Sequence, residues 1–308
     1  MRIIVLGSAA GGGFPQWNCN CPACRRAREG EAGILSRTQS SVAISADGAN
    51  WFLLNASPDI RQQLAQTPAL QPGRGLRHSP VAGVVLTNAD VDHVAGLLSL
   101  REGQALTLYA TPRVHRVLAA NPIFGVLNPQ VVARLPLALE METELALPDG
   151  TAAGLRVTAI AVPGKVALWL EDASRDDFGS VAEDSIGLRV LDPLTGGTLW
   201  YLPGCADMPF DLAARLDGSD LLLFDGTTWI DDEMLRTGVG SKTGRRMGHM
   251  SMSGAGGSIA ALAGLGIGRR VFIHINNTNP VLLPDSTERT KAAAAGWEIA
   301  WDGMEMAL

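Results

Sequence analysis

Residues 81–96 read VAGVVLTNADVDHVAG, and this stretch decides the fold. Val81 to Leu86 is a short apolar run without polar alternation, the pattern of a strand buried on both faces. A sheet with both faces covered implies helices packed against it. Directly after the run, Asn88, Asp90, Asp92 and His93 stand close together, followed by a helical pattern from His93 to Leu100. Loops at strand ends bring binding groups together while the sheet keeps them rigid. For a single such residue the plainer reading is a helix cap at Asn88 or Asp90 and a core histidine at position 93.

A second stretch tips the balance. RRVFIHINNTNP, residues 269–280, ends another apolar run in His274, with Asn276, Asn277 and Asn279 behind it, and MGHMSM, residues 247–252, places His249 in a further loop. Three of the five histidines thus lie at strand ends or just ahead of a helix, whereas His78 and His115 read as ordinary surface or turn residues. Outward from these stretches, apolar runs predict strands at Arg2 to Leu6, Ser41 to Ala46, Trp51 to Asn55, Leu106 to Tyr109 and Leu155 to Val162. Further strands are expected at Ala167 to Leu170, Gly187 to Leu191, Thr198 to Leu202, Leu221 to Phe224 and Arg270 to His274. Helical periodicity marks Pro58 to Ala65, Thr111 to Ala120, Asp211 to Leu216 and Ser253 to Leu262. This mixture predicts a layered α/β chain, one domain over residues 1–308 whose two halves share a rhythm.

Composition narrows the function. A chain of 308 residues that is 46% hydrophobic and 18% charged can bury a large core. A net charge of -6 without a block of Lys or Arg argues against nucleic acid or an anionic membrane and for a small polar partner. MRIIVLG reads as a first strand rather than a signal peptide, and no apolar run approaches the roughly 18 residues of a membrane span, so a cytoplasmic location is expected. Cys19, Cys21 and Cys24 in CNCPAC are too close for a disulfide framework and form a soft thiolate set suited to structural Zn²⁺, with a fourth ligand to come from elsewhere. Cys205 reads as a small buried residue. GSAAGGG, residues 7–13, lacks the Lys-Ser/Thr of a phosphate loop and the spacing of a dinucleotide fingerprint, so it predicts close backbone packing or an approach to substrate.

The pattern of strand, T-x-x-x-x-D-H-x-x-G, then later G-H and strand-H loops resembles the metallo-β-lactamase superfamily, whose motif is usually H-x-H-x-D-H. More closely, LGSAAGGGFPQWNCNCPAC, RTQSS, LLNASPDIRQQL, TNADVDHVAGLLSLREGQ, PGKVALWLEDAS, LPGCA, LLFDGT, KTGRRMGHMSM and VFIHINNTNP are similar to the pyrroloquinoline quinone (PQQ) biosynthesis B family. The resemblance implies an αββα sandwich, two central mixed β-sheets flanked by helices, with an N-terminal zinc-binding loop around residues 17–25. It also implies a role in PQQ biosynthesis, other proteins of that pathway as partners, and room for a homodimer.

Departures from the superfamily pattern carry the chemistry. Asn88 and Asp90 replace the first two histidines of the motif, Gly164 or Lys165 stands where a third is expected, and Gly204 or Cys205 where a bridging Asp is expected. One metal position of the usual pair is dismantled. The other keeps its ligands as Asp92, His93 and His274, the two-imidazole, one-carboxylate set that suits non-heme Fe(II) and O₂. The resemblance then implies O₂-dependent hydroxylation of the tyrosine ring in a small precursor of linked glutamate and tyrosine made from a ribosomal peptide. Mononuclear zinc hydrolysis and a soluble carrier for PQQ or its precursor, bound for the periplasm, remain alternatives. His249 is a candidate acid or base, Asp90 a candidate to orient a ligand or take a proton, and Asp225 a candidate neighbour at the end of its own strand. Lys165, Lys242, Arg245 and Arg246 are candidates for holding substrate carboxylates. In relatives that carry the cysteine insertion, the fourth zinc ligand is a His at the position occupied here by Asn277, a weak ligand.

Overall fold

The computed structural model describes residues 1–308. Its strands are β1 (Arg2–Gly7), β2 (Ser41–Ser45), β3 (Trp51–Leu54), β4 (Val81–Val85), β5 (Leu106–Ala110), β6 (Val132–Pro136) and β7 (Glu142–Ala146). They continue with β8 (Ala152–Ala161), β9 (Ile186–Leu191), β10 (Thr198–Leu202), β11 (Leu221–Asp225), β12 (Arg269–Ile273), β13 (Trp297–Ile299) and β14 (Glu305–Ala307). Two seven-stranded mixed sheets result, ordered β14-β1-β2-β3-β4-β5-β6 and β13-β12-β11-β10-β9-β8-β7. In each, antiparallel pairing gives way to parallel pairing, at β3 to β4 in the first and at β10 to β11 in the second. The similar rhythm of the two halves is this repeated topology.

Alternation within the strands builds the layers. In β3, Phe52 and Leu54 point between the sheets, where they join Val157, Leu188, Tyr201 and Leu223. Trp51 and Leu53 point outward, as Leu222 and Phe224 do from β11 on the opposite side. Both faces of these strands are therefore buried, which is why their sequence reads as unbroken apolar runs.

The helices are α1 (Pro22–Arg28), α2 (Ile60–Gln66), α3 (Val91–Val94), α4 (Pro112–Ala120), α5 (Phe210–Leu216), α6 (Glu233–Arg236), α7 (Gly244–Met247), α8 (Ser258–Ala261) and α9 (Thr287–Ala294). Ile60, Val114 and Leu118 seal the outer face of the first sheet; Leu212, Leu216 and Ala292 seal that of the second. The expected αββα sandwich is present. No helix is long and apolar enough to cross a membrane.

Three expectations fail locally. Ala167 to Leu170 is no strand: Leu168–Leu170 is a 3₁₀ turn in the β8–β9 connection, with Leu168 and Trp169 exposed. His93 to Leu100 is not one α-helix, because α3 begins at Val91, ends after one turn and tightens into a 3₁₀ segment, Ala95–Leu100. Gly96 lets this segment lie against the backbone of Ala56 and Ser57, since a Cβ there would stand 2.2 Å from the Ser57 carbonyl oxygen. Ser253 to Leu262 shrinks to the single turn α8 because Gly254, Gly256 and Gly257 precede it.

Candidate active site

The carboxyl ends of β4, β11 and β12, from different sheets, open onto one cleft of about 370 Å³. Binding sites in open α/β sheets form at such strand ends. Asp92, His93 and His274 each bring one ligand atom into a common group within 4.8 Å of one another.

The proton positions on His93 follow from its neighbours. The Asp90 backbone N–H donates to Asn88 Oδ1 at 3.0 Å, which fixes that atom as oxygen. The same oxygen lies 2.7 Å from His93 Nδ1, so Nδ1 is the donor and Nε2 bears the lone pair. His93 Nε2 is buried and has no protein partner. An orphaned, lone-pair-bearing imidazole nitrogen facing a carboxylate and a second imidazole fits a metal ion. Burial pulls the His93 pKa down to about 4, so the ring is neutral at physiological pH, as a ligand must be.

His274 sits just past β12 with φ of 57°, a left-handed conformation unusual for a residue with a side chain. The backbone beyond it is clamped: Ile275 N donates to Ser8 O at 3.0 Å and Ala10 N donates to Ile275 O at 2.9 Å. Thr227 orients the ring. Its hydroxyl donates to Asp225 Oδ1 at 2.7 Å and accepts from His274 Nδ1 at 3.0 Å, so Nε2 points to Asp92 Oδ2, 3.0 Å away. Burial opposes charge on His274, but the Asp92 carboxylate outweighs it and raises the pKa. Burial likewise opposes charge on Asp92, and the imidazoles of His93 and His274 more than offset it, holding the carboxyl below its ordinary range. A cation at this point would take over the role of that shared proton.

His249 stacks on His274, with ring centroids 5.2 Å apart, and its Nδ1 donates to Asp225 Oδ2 at 2.7 Å. Asp225 is fully buried and also accepts from the backbone N–H of Cys205 and Thr227. The Asp225–His249 pair has the geometry of an oriented acid or base, and Nε2 is left for the cleft. A Cβ on Gly204 would meet His249 Cε1 at 3.4 Å, so the imidazole occupies space toward which a side chain at position 204 would point. Asp90 lines the cleft, and its Oδ1 accepts from Leu168 N at 3.2 Å. Burial, reinforced by the Asp92 charge, raises its pKa.

The four basic candidates separate. Lys165 and Lys242 line the cleft. Arg246 is instead bound by Glu171, with Nη1 at 3.1 Å and Nη2 at 2.7 Å. Arg245 is exposed and faces Asp207 at 4.0 Å on another side of α7, outside the cleft. Sequence proximity to His249 grouped Lys242, Arg245 and Arg246; the fold puts Lys242 on the cleft, Arg246 on Glu171 and Arg245 outside.

Cys19, Cys21 and Cys24 also converge, their sulfurs within 4.8 Å. Backbone N–H groups of Cys21 and Cys24 donate to the sulfurs of Cys19 and Cys21, at 3.4 and 3.5 Å, and burial pushes the Cys21 thiol up to about 12. Three buried thiols at one point fit a soft metal ion that would deprotonate them. The Asn277 side-chain amide is 3.3 Å from Cys24 Sγ, so its position closes the group from the loop that carries His274. The glycine loop joins the two centres: Ala10, Gly11 and Gln16 line the cleft, and a Cβ on Gly11 would touch Asp92. Thr227 and Glu171 escaped the sequence reading. Thr227 follows Asp225 in FDGT, and that adjacency was its only signal.

Residues 50–275 match the beta-lactamase superfamily domain. The chain is 58% identical to a coenzyme PQQ synthesis protein B of Gluconacetobacter diazotrophicus, over 99% of this chain and 98% of that protein. It is 54% identical to one of Rhodopseudomonas palustris over the whole of both. The crystal structure of Zn²⁺-bound PqqB from Methylobacterium extorquens superposes with a TM-score of 0.95 at 54% identity, covering 100% of each chain. A diphosphatase of the PhnP family, 21% identical with a TM-score of 0.70 over 100% of this chain and 97% of that one, shares the fold. The chain therefore belongs to the coenzyme PQQ synthesis protein B family within the β-lactamase superfamily.

Proposed function

We propose that this chain works in coenzyme PQQ synthesis, the role its relatives are named for, as a mononuclear Fe(II), O₂-dependent hydroxylase of the tyrosine ring in a peptide-derived Glu-Tyr precursor. The observation that carries the reading is the buried, partnerless His93 Nε2 facing Asp92 and His274. Asn88, Asp90, Gly164 or Lys165, and Gly204 or Cys205 stand where a second metal would need ligands, which argues against the two-metal clamp of a hydrolase. One carboxylate and two neutral imidazoles leave open positions, and Fe(II) held there would supply O₂ activation. The three cysteines would hold a structural Zn²⁺, and the Asn277 amide, which donates to Cys24 Sγ, would tie that site to the loop of His274.

The chain's own groups do the rest. Lys165 and Lys242 would hold the precursor's carboxylates, while Leu168, Met234 and Met247 give the tyrosine ring an apolar wall. His249, fixed by Asp225, would take the phenol proton at Nε2. One oxygen atom enters the ring and the other leaves as water, so two electrons come from a reductant.

The test is to purify the protein anaerobically, count Fe and Zn per chain, and add a Glu-Tyr precursor, a reductant and O₂. Iron-dependent O₂ uptake with a hydroxylated ring is expected. Zinc alone in the cleft with hydrolysis, or ligand binding with no reaction, would overturn the reading.

A further inference from the structure

Residues 162–185, the connection from β8 to β9, form a strap along the cleft. Its ends are tied down: Ala206 N donates to Pro163 O at 2.7 Å, and Arg113 pairs with Asp184 at 2.9 Å. Its middle meets the body of the protein at Leu168 and Trp169, which donate to Asp90 Oδ1 and Ala89 O, and at Glu171. Glu171 is the hub. Lys165 Nζ lies 3.0 Å from one of its oxygens, and Arg246 takes both oxygens with its fork while resting over the Phe178 ring.

Two cations thus serve one carboxylate, and they are not equivalent. The planar guanidinium of Arg246 satisfies both oxygens by itself. Lys165 is a compact charge on a flexible stem, and it is the member that lines the cleft. The cluster is one positive charge in excess, beside Lys242 on the same cleft. Asp90 and Asp92 also face this space, but Asp90 is engaged by the Leu168 N–H and Asp92 by the candidate metal position.

We propose that Lys165 is an exchangeable cation. In the free protein it shares Glu171 with Arg246; when substrate binds, its ammonium turns to a substrate carboxylate while Arg246 keeps Glu171, and with it the strap, in place. The exchange leaves no carboxylate in the low-exposure cluster unpaired, which is what makes it inexpensive. Glu171 is thereby a positioning residue that sets how readily the cleft accepts a carboxylate. The proposal rests on the reading that the substrate carries carboxylates, and not on what is done to its ring.

Glutarate serves as the probe, with its binding to the metal-loaded protein measured by calorimetry. Lys165→Met is expected to weaken binding roughly tenfold, the scale of one lost charge-assisted contact. Glu171→Gln, which keeps an acceptor for Arg246 but removes the competing charge, is expected to tighten it severalfold. A purely structural strap predicts the opposite for Glu171→Gln, a loss alongside Lys165→Met, and that result would overturn the exchange. Should Glu171→Gln fail to fold, a structure of the wild-type glutarate complex decides: Lys165 Nζ on glutarate supports the exchange, and Lys165 Nζ still on Glu171 overturns it. Absence of any glutarate binding to the wild type would sink the carboxylate reading itself. Oxygen uptake by the wild-type protein is measured on its own, so failure of the hydroxylase reading is visible whatever the glutarate result.

Discussion

Replacing Asn88 by Ala probes how the metal centre is built. Asn88 Oδ1 is the acceptor for His93 Nδ1 at 2.7 Å and for Asp90 N at 3.0 Å, and the His93 side chain is buried. Without that oxygen, His93 Nδ1–H has no partner, and a buried unpaired donor costs about 1–3 kcal/mol. The ring can recover part of this only by turning Nδ1 toward the cleft, which spoils the alignment of Nε2 with Asp92 and His274. Loss of such an outer partner typically costs a 10–100-fold drop in metal affinity, about 1.4–2.7 kcal/mol. Asn88→Asp should restore the acceptor, and with it most of the affinity. The assay is anaerobic competition for Fe(II) against a chromophoric chelator, with total zinc counted separately so that the thiol site does not confuse the reading. Wild-type affinity in Asn88→Ala, or no recovery in Asn88→Asp, would refute both the tautomer assignment and the ligand role of Nε2.

Other consequences are open to measurement. Asp225→Asn removes the charge that holds His249 Nδ1–H, so turnover should fall about 10²–10⁴-fold with the cleft metal retained; undiminished turnover would exclude His249 as the proton acceptor. Cys24→Ser should release zinc and lower the melting temperature while the cleft still binds iron, and metal analysis beside a thermal melt decides it. Burial raises the Glu233 pKa from 4.5 to about 7, so the folded chain holds a proton that the unfolded chain releases in that window. Its contribution to stability is therefore full below pH 4.5 and lost as pH rises to about 7, a change of about 3 kcal/mol. Glu233→Gln keeps partners for Trp229 N and Thr278 Oγ1 and should remove that slope from denaturant curves taken at several pH values. Gly96→Ala forces a Cβ against the Ser57 and Ala56 carbonyls and should cost about 1–3 kcal/mol in the same experiment; an unchanged midpoint would contradict the packing.

Legibility followed burial. Strands packed on both faces were readable from unbroken apolar runs: β3 and β4 carry no polar residue, and β11 and β12 keep Leu221–Phe224 and Val271–Ile273 apolar, with Asp225, Arg269 and Arg270 at their ends. The elements that escaped are short or solvated. In β7, ETELA puts only Leu145 in the core, and in α9, TERTKAAA buries only Ala292, so neither shows a periodic apolar face. The opposite error, Ala167 to Leu170, has the same cause. Hydropathy reports what a segment would gain by burial, and here Leu168 and Trp169 stay exposed although the run is apolar.

At the site, the chemistry of single residues was visible and their pairing was not. The strand-end loops drew attention to Asp92, His93 and His274, and the resemblance to the superfamily motif singled them out from Asn88 and Asp90. What orients the imidazoles is relational: Asn88 on His93, Thr227 on His274, Asp225 on His249. Asn88 looked like a lost ligand because its letter replaces a histidine, yet its oxygen fixes the tautomer of the histidine that remains. The basic residues show the same limit from the other side. Arg245 and Arg246 adjoin His249 along the chain, but adjacent positions on a helix turn are about 100° apart, and the charge that answers Arg246 lies on a strap 75 residues away. Lys165, distant in sequence, is delivered by the fold to the cleft beside Lys242. Lys165 and Arg246 meet on Glu171 from positions 81 residues apart in the chain, and no local pattern encodes that shared partner.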